Sequence, residues 1–212
     1  MIEKRIIENV LEAALATGGD FSELFAEDTE KSVIVMTDGK VEDASYRRVN
    51  GAGVRVLQGA RCIYAYTSGQ DEAALMDAAK AAAAALKGMK EHGAKAMSIC
   101  RRGDYVPKEP YDTIGNAARI ALMRRASDAA RAYSDEITQV VARYNDVDQR
   151  VMVANSLGVY AQDRRPRGRV FVQAVAMKDG EAQTGSQSPG RGEGFEQFRC
   201  YDMEALGAAA AQ

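Results

Sequence analysis

The sequence predicts an α+β fold: an antiparallel sheet with helices packed on one face, followed by a second β-rich segment. Three observations carry this. Apolar residues recur at three- to four-residue spacing over positions 2–16, and from Phe21 the period changes to two. Asp38-Gly39 and Gln58-Gly59 stand between β-prone runs, as hairpin turns do. Helical patterns at 71–87 and 112–133 interrupt the alternation, which resumes at Ile137.

The first helix places Ile2, Ile6, Val10 and Leu11 on one face, and Gly18-Gly19 supplies its stop. Residues 21–28, 31–37 and 40–49 read as strands. The hairpin of 51–68 follows, with a two-residue loop at Gln58-Gly59. That loop pairs Leu57 with Ala60 and Val54 with Ile63, and sets Gly53 against Tyr64 and Gly51 against Tyr66. Tyrosine rings over bare glycine backbone restore cross-strand contact where side chains are missing.

Ser68 to Asp71 reads as a capping box, ahead of a helix whose narrow face is Leu75, Ala78, Ala79, Ala82 and Leu86. Residues 89–111 are irregular. The next helix, 112–133, turns Ile114, Ala118, Ala121, Leu122 and Ala129 inward and leaves Arg119, Arg124, Arg125 and Arg131 mostly wet. Strands are expected at 137–144, 150–154, 158–162 and 169–177, parted by Asn145-Asp146, Asn155-Ser156 and Asp179-Gly180. Residues 183–194 read as a flexible Gly- and Ser-rich loop, and a last helix begins at Asp202 and runs into the end of the sequence. We place a domain boundary near 134, giving an amino-terminal α+β domain, 1–133, and a β-rich segment, 134–212, that ends in a truncated helix.

With 212 residues, 46% hydrophobic and 27% charged, the chain has the composition of a soluble globular protein with a real core. A net charge of -2 provides no field toward nucleic acid or anionic lipid. No apolar run of 18 residues exists, and Met1 leads into Glu3-Lys4-Arg5 rather than a signal core. Cys62, Cys100 and Cys200 are odd in number and far apart, which points to reduced, buried or part-buried thiols in the cytoplasm rather than a disulfide framework or metal site.

The chemistry available is thin. His92 is the one histidine and reads as an exposed loop residue, so a two-histidine zinc helix does not fit within this chain. No Gly-x-Ser-x-Gly surrounds a serine. Gly185 to Gly194 lacks the Lys-Ser/Thr of a phosphate loop and reads as a surface loop, with a peptide-contacting or lid segment as the alternative. Arg164 to Arg169 is the densest basic run, without interleaved aromatics, and reads as a solvated turn. Glu23, Glu27, Asp38, Glu42 and Asp43 read as a wet sheet face.

The order of several landmarks resembles one family. Gly19-Asp20-Phe21-Ser22-Glu23-Leu24-Phe25, Asp38-Gly39-Lys40-Val41-Glu42, Gly51-Ala52-Gly53-Val54-Arg55-Val56 and Tyr64-Ala65-Tyr66-Thr67 are similar to the amino-terminal region of the TldD/PmbA family. Val151 to Gly158 and Gly185 to Phe195 resemble its middle region, closer to the TldD branch. The resemblance implies a cytoplasmic zinc-dependent peptidase for peptides or unfolded proteins, paired with a PmbA-like subunit or with itself. It places zinc on a His-Glu-x-x-x-His motif and a later cysteine, all outside this chain. No position here is therefore assigned a catalytic or metal-ligating role, and no substrate-binding residue is singled out. The chain reads as an inactive amino-terminal fragment providing scaffold, subunit contacts and peptide-channel walls. The alternatives are a non-catalytic PmbA-like partner subunit and, more weakly, a gyrase- or DNA-associated modulator.

Overall fold

The computed structural model describes residues 2–88, 90–99 and 105–212. Cys100 lies outside the described residues. The chain forms two compact units, each gathered from three stretches: 1–29, 49–104 and 149–164 in the first, 30–48, 105–148 and 165–212 in the second. Residue 134 lies in the second unit.

Strand pairing gives an eight-stranded, mainly antiparallel sheet with helices. Its strands are β1 (Phe21–Thr37), β2 (Lys40–Gln58), β3 (Arg61–Thr67), β4 (Ser98–Ile99), β5 (Ile137–Asn155), β6 (Val159–Lys178), β7 (Glu181–Gln187) and β8 (Gly190–Arg191). The order is β3-β2-β1-β5-β6-β4, with β7 and β8 also pairing β6, and the short β4 runs parallel to β6. The strands are longer than expected. Residues 21–28 and 31–37 are one strand, and β2 runs unbroken through residue 50. Asp28 and Glu30 occupy the inward parity of β1 yet are only partly buried, so the hydrophobic signal lapses while the ladder continues.

In the first unit α1 (Lys4–Ala14) and α2 (Glu72–Ala84) pack on the face of the sheet that carries Leu24, Ala26, Val54 and Val56. Ile7, Val10, Leu11 and Ala14 of α1 are buried, and burial of each larger one stabilises by about 1.5–3 kcal/mol. All five residues expected on the inner face of α2 are buried. Its cap differs from expectation: Asp71, not Ser68, is the N-cap, and its carboxylate accepts from the Ala74 amide at 3.0 Å.

The hairpin forms, but its register is shifted. Gln58 pairs with Arg61, Arg55 with Tyr64 and Gly53 with Tyr66. Gly59, at φ +56, takes the first central position of a Gly59-Ala60 loop, where the sequence reading placed it second. Tyr64 still covers Gly53, now diagonally: a Cβ on Gly53 would lie 1.9 Å from the tyrosine oxygen.

In the second unit α3 (Asn116–Arg131) and α4 (Met203–Ala211) share a core with Ile34, Met36, Val140, Ala142, Tyr144, Val170 and Val172. The inward face of α3 is Arg119, Leu122, Met123, Ala126, Ser127 and Ala130; Ala118 and Ala121 are exposed. Arg119 is thus the correction on this helix, buried rather than wet. Helices α3 and α4 touch where Gly207 meets the Ala126 backbone, a Cβ there falling 2.0 Å from the carbonyl oxygen.

Two other expected irregularities are strand. Asn145-Asp146 lies inside β5, and Arg164 to Arg169 lies inside β6, with Pro166 and Gly168 inward and Arg165, Arg167 and Arg169 exposed. The Gly- and Ser-rich segment forms β7 and β8. Gly185 is opposite Ala174 and has the Ala210 carbonyl 2.4 Å from its would-be Cβ, so the glycine serves close packing rather than looseness.

Candidate functional site

From Val140 to Asp148 every second residue of β5 faces inward, which brings Tyr144, Asp146 and Asp148 into a row beneath the start of α3. A 3₁₀ turn at Tyr111–Thr113 leads into that helix, and Arg119 projects from its first turns. The result is a charged cluster with side chains 6% and 3% exposed at Arg119 and Asp146. The Arg119 Nε and Nη2 atoms lie 2.9 and 2.8 Å from Asp146 Oδ2, and the Tyr144 hydroxyl donates to the same oxygen at 2.8 Å. The guanidinium also donates to the carbonyls of Tyr111, at 2.9 Å, and Ile114. Its Cζ stands 5.6 Å from the Tyr144 ring centroid.

Beside this cluster lies a cavity of about 310 Å³, lined by Glu30, Ser32, Tyr46, Asp112 and Asp148 among others. Burial pushes the Tyr144 phenol up, and the Asp146 carboxylate adds to the effect. Burial works against the charge on Arg119, but Asp146 and Tyr144 outweigh it and hold the guanidinium protonated. Asp146 Oδ2 accepts from Arg119 Nε and the Tyr144 hydroxyl and stands in ion-pair contact with Nη2, so the cluster is a clamp joining α3 to β5 rather than a free general base.

A second cluster anchors the segment after β8. Gln197 is fully buried; its Nε2 donates to the Tyr111 hydroxyl at 2.7 Å, and its Oε1 accepts from the Arg191 amide at 2.6 Å. Glu196 accepts from the Glu109 amide at 2.9 Å, the Lys108 amide at 3.1 Å and the Tyr105 hydroxyl. Burial opposes its ionisation, but these donors prevail and hold its carboxyl at about 2. Sequence reasoning gave neither residue a role, although Phe195 and Phe198 stand three apart, the spacing of one face of a helical turn.

In the first unit an open groove of about 570 Å³ lies on the sheet face that carries Phe25, Glu27, Val49, Tyr64 and Tyr66. Tyr66 is 83% exposed.

The residues considered from sequence do not converge. His92 Nε2 is 3.8 Å from Asp20, both half exposed. Cys62 and Cys200 are free and exposed, which corrects the expectation of buried thiols: Cys62 lies on an edge strand and Cys200 ends an outer 3₁₀ turn. Glu23 pairs with Arg55 at 2.9 Å, Glu27 accepts from Gln149 at 3.1 Å, and Asp38 accepts from the Val140 amide at 2.9 Å. Glu42 and Asp43 are exposed. Among the described residues no three His, Cys, Asp or Glu side chains are grouped to hold a metal, so zinc does not fit the donors present. No helix is long and apolar enough to cross a membrane.

Fold and site define a helix-backed antiparallel α+β scaffold held by buried polar clamps. Residues 22–86 match the sequence model described as PmbA/TldA metallopeptidase domain 1, and 109–212 match the PmbA/TldA metallopeptidase central domain. The chain belongs to the PmbA/TldD metallopeptidase family. It is 24% identical over 182 residues to a "Metalloprotease TldD homolog" of Haemophilus influenzae, covering 84% of this chain and 38% of that protein. It is 28% identical over 190 residues to a "Metalloprotease" of Methanothermobacter thermautotrophicus, covering 89% and 41%. The chain therefore spans about two fifths of the length of these relatives. Among solved structures it resembles TldE from Thermococcus kodakarensis, with TM-score 0.69, 13% identity and coverage of 98% of this chain and 46% of that one. A Bacteroides thetaiotaomicron protein described as a candidate modulator of DNA gyrase gives 0.75, 10% identity, 98% and 48%. At these identities the likeness is one of fold.

Proposed function

We propose that this chain is the amino-terminal part of a TldD-like zinc-dependent peptidase of the cytoplasm, supplying scaffold, subunit contacts and walls of a peptide channel. The observation that supports this is the ordered match to two consecutive family domains, on a chain spanning 38% and 41% of relatives named metalloproteases. In this reading zinc and the reacting groups belong to the part of the parent protein that the chain does not span. The described residues supply shape, and the substrate is a peptide or unfolded protein that adds as a strand to an open sheet edge. A homologous subunit completes the enclosure.

The test is metal content and peptidase activity of residues 1–212 beside those of the parent protein. The fragment is expected to hold no stoichiometric zinc and to cleave no peptide, while the parent does both. Tight one-to-one zinc with cleavage by the fragment would overturn the reading.

The lack of a metal-holding group among the described residues equally suits a non-catalytic PmbA-like partner subunit. The presence or absence of His-Glu-x-x-x-His in the parent gene separates the two. A DNA-associated role is disfavoured by the net charge of -2, and DNA binding titrated against salt tests it.

A further inference from the structure

The cavity beside the Arg119 clamp lies wholly within the second unit, and the clamp engages only one of its carboxylates. Its wall is acidic: Glu30, Asp112, Asp146 and Asp148 line the space of about 310 Å³, with Arg119 as the lining cation. Arg119 is committed to Asp146 at 2.8 Å, which leaves an excess of carboxylate on the rest of the wall at neutral pH. Arg48 meets Glu30 at 3.8 Å, longer than a hydrogen bond, and its side chain is 53% exposed.

Strand register sets two of these acids against each other. The Asp38 amide donates to the Val140 carbonyl at 2.8 Å and the Ser156 amide to the Ser22 carbonyl at 2.8 Å, and these bonds lie equally far apart along β1 and β5. The positions between them therefore place Glu30 opposite Asp148 and Ser32 opposite Asp146, all on the inward parity. Like charges directly opposite on one sheet face destabilise the pairing. A cation seated between them turns the repulsion into two charge-assisted contacts.

Ser32 points independently to a ligand. It is 8% exposed and lines the cavity, yet its hydroxyl has no hydrogen-bond partner among the described residues. A hydroxyl buried to that degree normally has one. Tyr46 lines the same space and brings an aromatic ring, which a cation favours. No three carboxylates among the described residues are grouped as a metal ion needs, whereas the volume is that of a small organic ligand. A guanidinium or primary ammonium carries several N–H donors and no acceptor, matching carboxylates and an unpaired hydroxyl oxygen. The positive end of α3 at Asn116 opposes a cation, so the strand side of the cavity is its seat.

We propose that this cavity binds an organic cation, a guanidinium or primary ammonium group, between Glu30 and Asp148, with the Ser32 hydroxyl accepting one of its N–H groups. The group belongs either to a free amine or to an Arg or Lys side chain of a peptide. Only the second source touches the peptidase reading, and binding is measured without zinc or cleavage, so either reading can fail alone.

The test titrates the isotope-labelled 212-residue chain with agmatine, with N-acetyl-arginine methylamide and with magnesium ion alone, and follows the amide shifts. Saturable shifts centred on residues 30–32 and 146–148 are expected with agmatine at about 0.01–1 mM, weakening as salt rises from about 0.05 to about 0.5 M. Glu30→Gln and Asp148→Asn should each weaken binding at least about tenfold, and Ser32→Ala about three- to tenfold. Ser32→Ala deletes a hydroxyl that holds no described residue, and Glu30 is partly exposed, so these two variants decide the matter if Asp148→Asn fails to fold. Binding of the blocked arginine as well as agmatine identifies a peptide side chain as the source, and agmatine alone a free amine; both outcomes support the site. No saturation by about 10 mM, shifts centred elsewhere, indifference to Glu30→Gln and Ser32→Ala, or tighter saturation of the same amides by magnesium would overturn the proposal.

Discussion

Replacing Arg119 by methionine probes the clamp between α3 and β5. The substitution keeps much of the side-chain volume and removes the charge. Asp146, 2% exposed, would keep only the Tyr144 hydroxyl at 2.8 Å and lose both guanidinium contacts, at 2.9 and 2.8 Å. The Tyr111 and Ile114 carbonyls lose a donor as well. Leaving one partner of a buried pair uncompensated costs about 3–5 kcal/mol. That is a large share of the roughly 5–15 kcal/mol that holds a domain folded. Urea unfolding followed by far-UV circular dichroism measures the loss. Arg119→Met with Asp146→Asn removes the stranded charge and should recover about 1–3 kcal/mol of it. A loss below about 1 kcal/mol in the single variant, the scale of an exposed ion pair, would refute the burial argument.

Three further outcomes rest on close contacts and ionisation. Gly207→Ala drives a methyl onto the Ala126 carbonyl, a backbone atom that cannot swing aside, and should cost about 1–3 kcal/mol in the same urea assay. The three atoms nearest a Cβ on Gly53 all belong to the far end of the Tyr64 side chain, which is 57% exposed, so Gly53→Ala should cost clearly less. For Glu196, the folded carboxyl titrates at about 2 against 4.5 unfolded. Its contribution is complete above 4.5 and is lost as pH falls from 4.5 toward 2. Glu196→Gln should therefore lower stability at neutral pH and flatten the acid limb of a stability–pH series, and an unchanged limb would contradict the hydrogen-bond account.

Much of the fold was legible because its signals are local. Alternation in residues 21–37, the Asp38-Gly39 and Asp179-Gly180 turns, and the apolar stripe of α2 need only neighbours in sequence to be read. The errors have a common form. Asn145-Asp146 looks like a turn because the arginine that makes Asp146 a core residue lies 27 positions away. Arg119 looks like a wet residue for the same reason. Glu196 and Gln197 look like loop residues because their hydrogen-bond partners, the Glu109 amide and the Tyr111 hydroxyl, are 87 and 86 positions distant. In the 51–68 hairpin the turn was visible, but one glycine fits either central position of a two-residue loop, and that choice shifts the register by two.

The sequence by itself determined the α+β class and the family, since periodicity, turn residues and ordered landmarks are all carried along the chain. Only the tertiary structure decided which polar residues are buried and which strand edge is left open. A buried charge is stable solely where a distant partner meets it, and an edge is open solely where no neighbouring strand reaches. Lys40 to Asn50 reads in sequence as an ordinary polar strand, and the structure leaves each of these residues exposed while β3 pairs with Ala52–Gln58.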